Sequence, residues 1–155
     1  MKKKFLQGIL LLLLTGTGYS QSDDIWTMNK ENRDKITPHK AVSRQSYPKE
    51  VKLYNLELSL FKNLLFSIVD GKKISTTISL PNTAGEIEQF EVFEASNFEP
   101  ALQKQFPGIR AFSGKGITDP SATLKLSICP EGIQTMVFRM EKENEFIEPY
   151  SADNK

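Results

Sequence analysis

Side chains able to handle protons, hold metals or attack a substrate are few in this 155-residue chain, and they stand apart. His39 is the single histidine. A catalytic metal needs several ligands converging at fixed spacing, and a Ser/His/acid relay needs a histidine beside an exposed nucleophile. His39 follows Pro38 in a polar stretch, where a solvated loop suits it far better than a ligand set, and no Gly-x-Ser-x-Gly turn presents a serine. Gly114-Lys115-Gly116 lacks the glycine spacing and trailing Ser/Thr of a phosphate loop, so a strand bulge or a close backbone approach explains it better. Glu86, Glu88, Glu91 and Glu94 could supply an acid/base pair, but they fall at alternating or flanking positions, the pattern of a solvated strand face. No catalytic, cofactor-binding or metal site is assigned, and no cofactor is expected.

Cys129 is the lone cysteine, so the chain has no internal disulfide and its core must hold it together. Leu124, Leu126 and Ile128 define an inward face, which turns Cys129 outward at a strand end beside Pro130. An exposed thiolate there could ligate zinc and fill the open coordination site of a protease in cis or in trans. A single cysteine is more often an inert small side chain.

Lys2, Lys3 and Lys4, an apolar run from Phe5 to Leu14, and then small residues have the layout of a secretory signal over residues 1–20, with cleavage between Ser20 and Gln21. The run is shorter than the roughly 20 residues of a bilayer span. The full chain has 20 basic and 19 acidic residues; removing the three leader lysines leaves 17 against 19. That balance gives no pull toward nucleic acid or an anionic membrane. A secreted, periplasmic or cell-envelope protein of a Gram-negative bacterium is expected.

Elements follow from period and punctuation. Residues 21–50 read as a polar arm in which Trp26 either anchors in a partner's groove or packs on its own domain. An α+β domain spans 51–150, and 151–155 form a polar tail. A strand begins at Val51. Ser59 can cap a helix whose Leu60, Phe61, Leu64, Leu65 and Ile68 share a stripe. Ile74, Thr76, Ile78 and Leu80 alternate along a strand, Pro81 to Gly85 turn it, and Phe90 with Val92 line its return. Ser96 and Glu99 suggest a capping box for a second helix with Phe98, Ala101, Leu102 and Phe106 on one side. Another strand follows, then a hairpin in which Pro130, Glu131 and Gly132 turn and Met136, Phe138 and Met140 face inward. The expected architecture is an antiparallel sheet of hairpins with two short helices packed on one face.

Leu80-Pro81, Phe90 with Val92, Glu99 to Leu102, Phe106 to Ile109, Phe112 to Gly116, Asp119-Pro120 and Pro130 to Gly132, with "FIEPY" downstream, form a conjunction of motifs. It resembles the amino-terminal prodomain of secreted, reprolysin-like zinc metallopeptidases of the Bacteroidetes type. The resemblance runs from about residue 53 to 150, and it implies a non-catalytic propeptide that assists folding and masks the protease active site until removed. Its partner would be a metallopeptidase catalytic domain in cis or in trans. Members of that family continue into a His-Glu-x-x-His helix, which these 155 residues do not contain. The alternative is a free-standing exported binding module for a protein or glycan.

Overall fold

The computed structural model describes residues 25–31, 35–36 and 51–150. Six strands, β3 (Thr76–Pro81), β4 (Ile87–Glu94), β5 (Arg110–Gly116), β6 (Thr123–Cys129), β7 (Gly132–Phe138) and β8 (Glu145–Ile147), pair in chain order. Every neighbour is antiparallel. The sheet curls into half a barrel. A two-stranded ribbon, β1 (Trp26–Met28) and β2 (Tyr54–Leu56), and two helices, α1 (Leu58–Phe66) and α2 (Pro100–Gln105), complete it. The fold is mainly antiparallel β with few helices, which agrees with the expected class at the coarse level.

Local chemistry fixes the hairpins. At the β3–β4 turn the Asn82 side-chain oxygen accepts from Glu86 N–H at 2.9 Å, and Gly85 takes φ +94°, open to glycine at little cost. The β6–β7 connection has two residues, Pro130 and Glu131, because Cys129 already pairs with Gly132. Residues directly opposite share a face, so Ile133, Thr135 and Val137 join Ile128, Leu126 and Leu124 in the core. This corrects the expectation for β7. Met136 is half-buried, while Phe138 and Met140 are exposed, because counting Gly132 in the turn slips the register by one and flips every side chain.

The glycines of β5 serve close approach. A Cβ on Gly114 would lie 2.8 Å from Val92 Cγ1 and 3.0 Å from the Glu91 carbonyl oxygen. One on Gly116 would run into the Asp119 carbonyl of the turn that carries the chain from β5 to β6.

In α1, Phe61 and Leu65 are buried at i and i+4, Ile68 just past the helix end is buried beside them, and Leu60 is exposed. Ser59 lies inside the helix; Glu57 holds the N-cap position without a side-chain bond. The strand expected from Val51 is confined to β2, and Trp26 takes the intramolecular of its two expected places. Its ring meets Phe61 and Tyr54 edge-on at 5.8 and 6.3 Å, and its Nε1 donates to the Ser79 carbonyl at 2.7 Å. β3 is an outer strand of the sheet, so this bond occupies a backbone group that would otherwise invite another chain.

The second helix departs from expectation. No residue of α2 is buried, and Leu102 within it and Phe98 and Phe106 on its flanks are each 40–48% exposed, so α2 adds no fully buried side chain to the core, whereas α1 packs against β3. Ser96 does not cap α2; its hydroxyl donates to Glu94 and accepts from Ala111 N–H, bridging the ends of β4 and β5. Ile74 precedes β3 and is exposed.

Candidate functional site

The core face ends at both extremes in an arginine. Arg139, just beyond β7, is almost fully buried and donates to Glu88 at 2.6 Å, Asp119 at 2.7 Å and Glu145 at 2.8 Å. Asn82 donates to the other oxygen of Glu88, Thr83 to that of Glu145, and Ser121 to that of Asp119. Every carboxylate oxygen in the cluster thus accepts a hydrogen bond. Glu88 was expected on a solvated face; it is buried because it shares the inward face of β4 with Phe90 and Val92, and Arg139 compensates its charge.

Burial disfavours the charged form of Glu145, but bonds from Arg139 and Thr83 outweigh it and hold its pKa below the usual value. Ser121, and then Arg139, hold the Asp119 carboxyl low as well. A general acid working near neutrality needs a raised carboxyl pKa, the opposite of what these two show. The cluster is a fastener. It ties the β3–β4 turn, β4, the β5–β6 connection and β8 to one guanidinium, and the Thr83–Glu145 bond links the two outer strands of the half-barrel.

At the other end Arg110 donates to Glu94 at 2.8 Å and to Asp70 at 3.1 Å. Glu94, also expected in solvent, is half-buried for the same reason as Glu88. Asp70 takes φ +58°, a conformation non-glycine residues adopt rarely, and its N–H donates to Glu94.

Cys129 sits half-buried on the outer face at the end of β6. Burial first, and a side-chain hydrogen bond with Glu131 next, push its thiol up. Zinc binds thiolate, so this environment opposes the zinc-switch chemistry. Among the described residues, no group of three or more His, Cys, Asp or Glu is placed to hold a metal. His39 and the Ser20–Gln21 cleavage position lie outside the described residues, as do residues 151–155. No described helix is long and apolar enough to cross a membrane.

The outer face of the sheet carries a different feature, an open trough of about 510 Å³ crossing β5 to β8. Registers Ala111↔Ser127, Ser127↔Gln134, Ser113↔Lys125, Lys125↔Met136 and Met136↔Phe146 line up two rows of side chains across the strands. The first row, with short Ala111 and Ser127, makes a low floor; the second, with Lys125, Met136 and Phe146, makes a wall. Phe112, Leu126 and Thr135 beneath the two rows, with Ala95, Asn97 and Glu148, complete the lining. Lys125 Nζ donates to Ser113 Oγ, its neighbour in the same row, at 2.8 Å, which ties the ammonium along the wall. Asn97 closes the trough on the side where α2 begins, next to exposed Phe98.

Sequence reasoning missed both features. Glu88 at the inward positions shared with Phe90 and Val92 was a readable signal of a buried acid needing a partner. The trough had no such signal, since its members come from separate strands and meet only through register. Compared with protein-family models, curated proteins and solved structures, the chain finds no match in any of the three.

Proposed function

We propose that this chain acts by binding, as a propeptide-like domain of an exported zinc metallopeptidase that assists folding of the catalytic domain and masks its active site until removed. The observation that carries the reading is the apolar patch at α2. Leu102 on α2 and Phe98 and Phe106 flanking it are each 40–48% exposed, and α2 buries none of its own residues fully, so together they leave an apolar patch suited to covering by a protein partner. The resemblance of the motifs between residues 53 and 150 to reprolysin-type prodomains supplies the partner, in cis or in trans. The setting is the cell envelope or exterior of a Gram-negative bacterium, given the leader-like residues 1–20.

The test titrates the full chain into the metallopeptidase catalytic domain encoded beside or downstream of it. Saturable loss of peptidase activity, weakened by Phe98→Ser with Leu102→Ser, is expected. Full activity at saturating concentration removes the masking role.

A second reading, a free-standing exported binding module for a protein or glycan, is favoured by the polar outer-face trough. It requires no protease.

A further inference from the structure

The outer-face trough has chemistry that discriminates among occupants. Its lining holds one cation, Lys125, and one anion, Glu148, on opposite rows, so a ligand of either net charge meets a like charge there. Glu148 has an interaction within the protein already. Between these lie neutral groups: the amides of Asn97 and Gln134 and the hydroxyl of Ser127, none of which has a side-chain partner among the described residues. An amide both donates and accepts, as does a hydroxyl, and Lys125 keeps free donors after its bond to Ser113. At one end Phe146 is 56% exposed beside half-buried Met136, offering an apolar platform.

The backbone at Phe112, Leu126 and Thr135 forms part of the floor, but its hydrogen-bonding groups are already engaged. The trough crosses the strands on their flat face, where N–H and C=O already pair within the ladder, so an extended peptide cannot add to the sheet here as it does at an edge. A ligand that fits must both give and take many neutral hydrogen bonds and present one apolar face. The volume of about 510 Å³ falls within the roughly 300–1,000 Å³ of small-ligand sites.

We infer that the outer-face trough binds a neutral saccharide, which stacks its apolar face on Phe146 and hydrogen-bonds through its hydroxyls to Asn97, Lys125, Ser127 and Gln134. Saccharide hydroxyls satisfy donors and acceptors alike, and a ring's C–H face covers an aromatic without a charge. The inference deepens the binding-module reading and rests on it; it does not need a protease partner.

The experiment uses the full chain and isothermal titration with linear neutral hexasaccharides: a β-1,4-glucan, a β-1,4-linked N-acetylglucosamine oligomer and a mannan. Oligogalacturonate and an uncharged Ser/Gln hexapeptide serve as comparisons. At least one neutral saccharide is expected to bind, with about tenfold weakening, equivalent to about 1.4 kcal/mol, in Phe146→Ala and in Gln134→Ala. Thermal unfolding confirms that both variants remain folded, and Gln134→Asn, which keeps the amide, should lose less.

No binding of any neutral hexasaccharide at about 5 mM, a level at which even millimolar sites fill appreciably, overturns the inference. So does equal binding of oligogalacturonate or the peptide, or saccharide binding that both alanine variants leave unchanged. The protease titration reads out separately. Peptidase masking without saccharide binding sinks this inference and leaves the propeptide reading; saccharide binding without masking does the reverse.

Discussion

The two faces of the six-stranded sheet treat polar side chains in opposite ways. On the core face Arg139 and Arg110 are buried, and the carboxylates around Arg139 have their hydrogen bonds closed within the protein. On the outer face Lys125 has one internal bond, while Asn97, Ser127 and Gln134 line an open trough. The same ladder therefore carries charge that the fold depends on and polar groups that it does not. The difference lies in burial. A charge taken from water must be compensated by the protein, whereas an exposed group loses nothing by facing solvent.

Perturbing the core-face cluster breaks this comparison most severely. Arg139→Ala leaves three carboxylates facing one another around an empty volume, and breaking a buried pair in this way costs about 3–5 kcal/mol. Urea unfolding should register it as a large fall in midpoint, while an unchanged midpoint would mean the cluster holds nothing.

A smaller effect is expected at Gly114, where Ala must displace Val92 and the Glu91 carbonyl, an overpacking cost of about 2–3 kcal/mol in the same measurement. Arg110→Ala should cost less, about 1.5 kcal/mol, because its partner Asp70 is largely exposed and regains water.

Acid sharpens the comparison further. Glu145 and Asp119 have folded pKa values held below their ordinary ones, so they bind fewer protons folded than unfolded. Their stabilising contribution is present in full above the ordinary carboxylate values, 4.5 for Glu and 3.8 for Asp, and is lost as pH falls below them toward the folded values. The urea midpoint should drop through that window in the native protein. In Arg139→Met, where the cation that chiefly lowers Glu145 and adds to the Ser121 bonds at Asp119 is gone, the drop should shrink. An equal drop in both proteins would assign acid sensitivity elsewhere.

The sequence was legible where a signal is local. Asn82 and Gly85 announce the β3–β4 turn, Phe61 and Leu65 announce the buried stripe of α1, and the paired glycines of β5 announce a close approach. It was misleading where the outcome depends on partners far along the chain. α2 carries an amphipathic pattern, yet none of its residues is fully buried, because a six-residue helix is held chiefly by its connections. The β7 register turned on whether Gly132 belongs to the turn or the strand, a one-residue matter that moves Arg139 from surface to core. With Arg139 placed outside, Glu88 had no visible partner and read as solvated. The trough was illegible for the same reason, since its lining comes from β5, β6, β7 and β8 and from segments next to β4 and β8.

The smallest expected effect is also the most direct test of the division between the faces. It is the thermal unfolding of a triple outer-face variant, Lys125→Ala with Ser127→Ala and Gln134→Ala, against the native chain. Surface substitutions usually change stability by a few tenths of a kcal/mol in either direction, so the three together should move the unfolding temperature far less than Arg139→Ala does, while any ligand binding at the trough disappears. A fall as large as that of Arg139→Ala would contradict the account, because the outer groups would then belong to the fold and would not be free for a ligand.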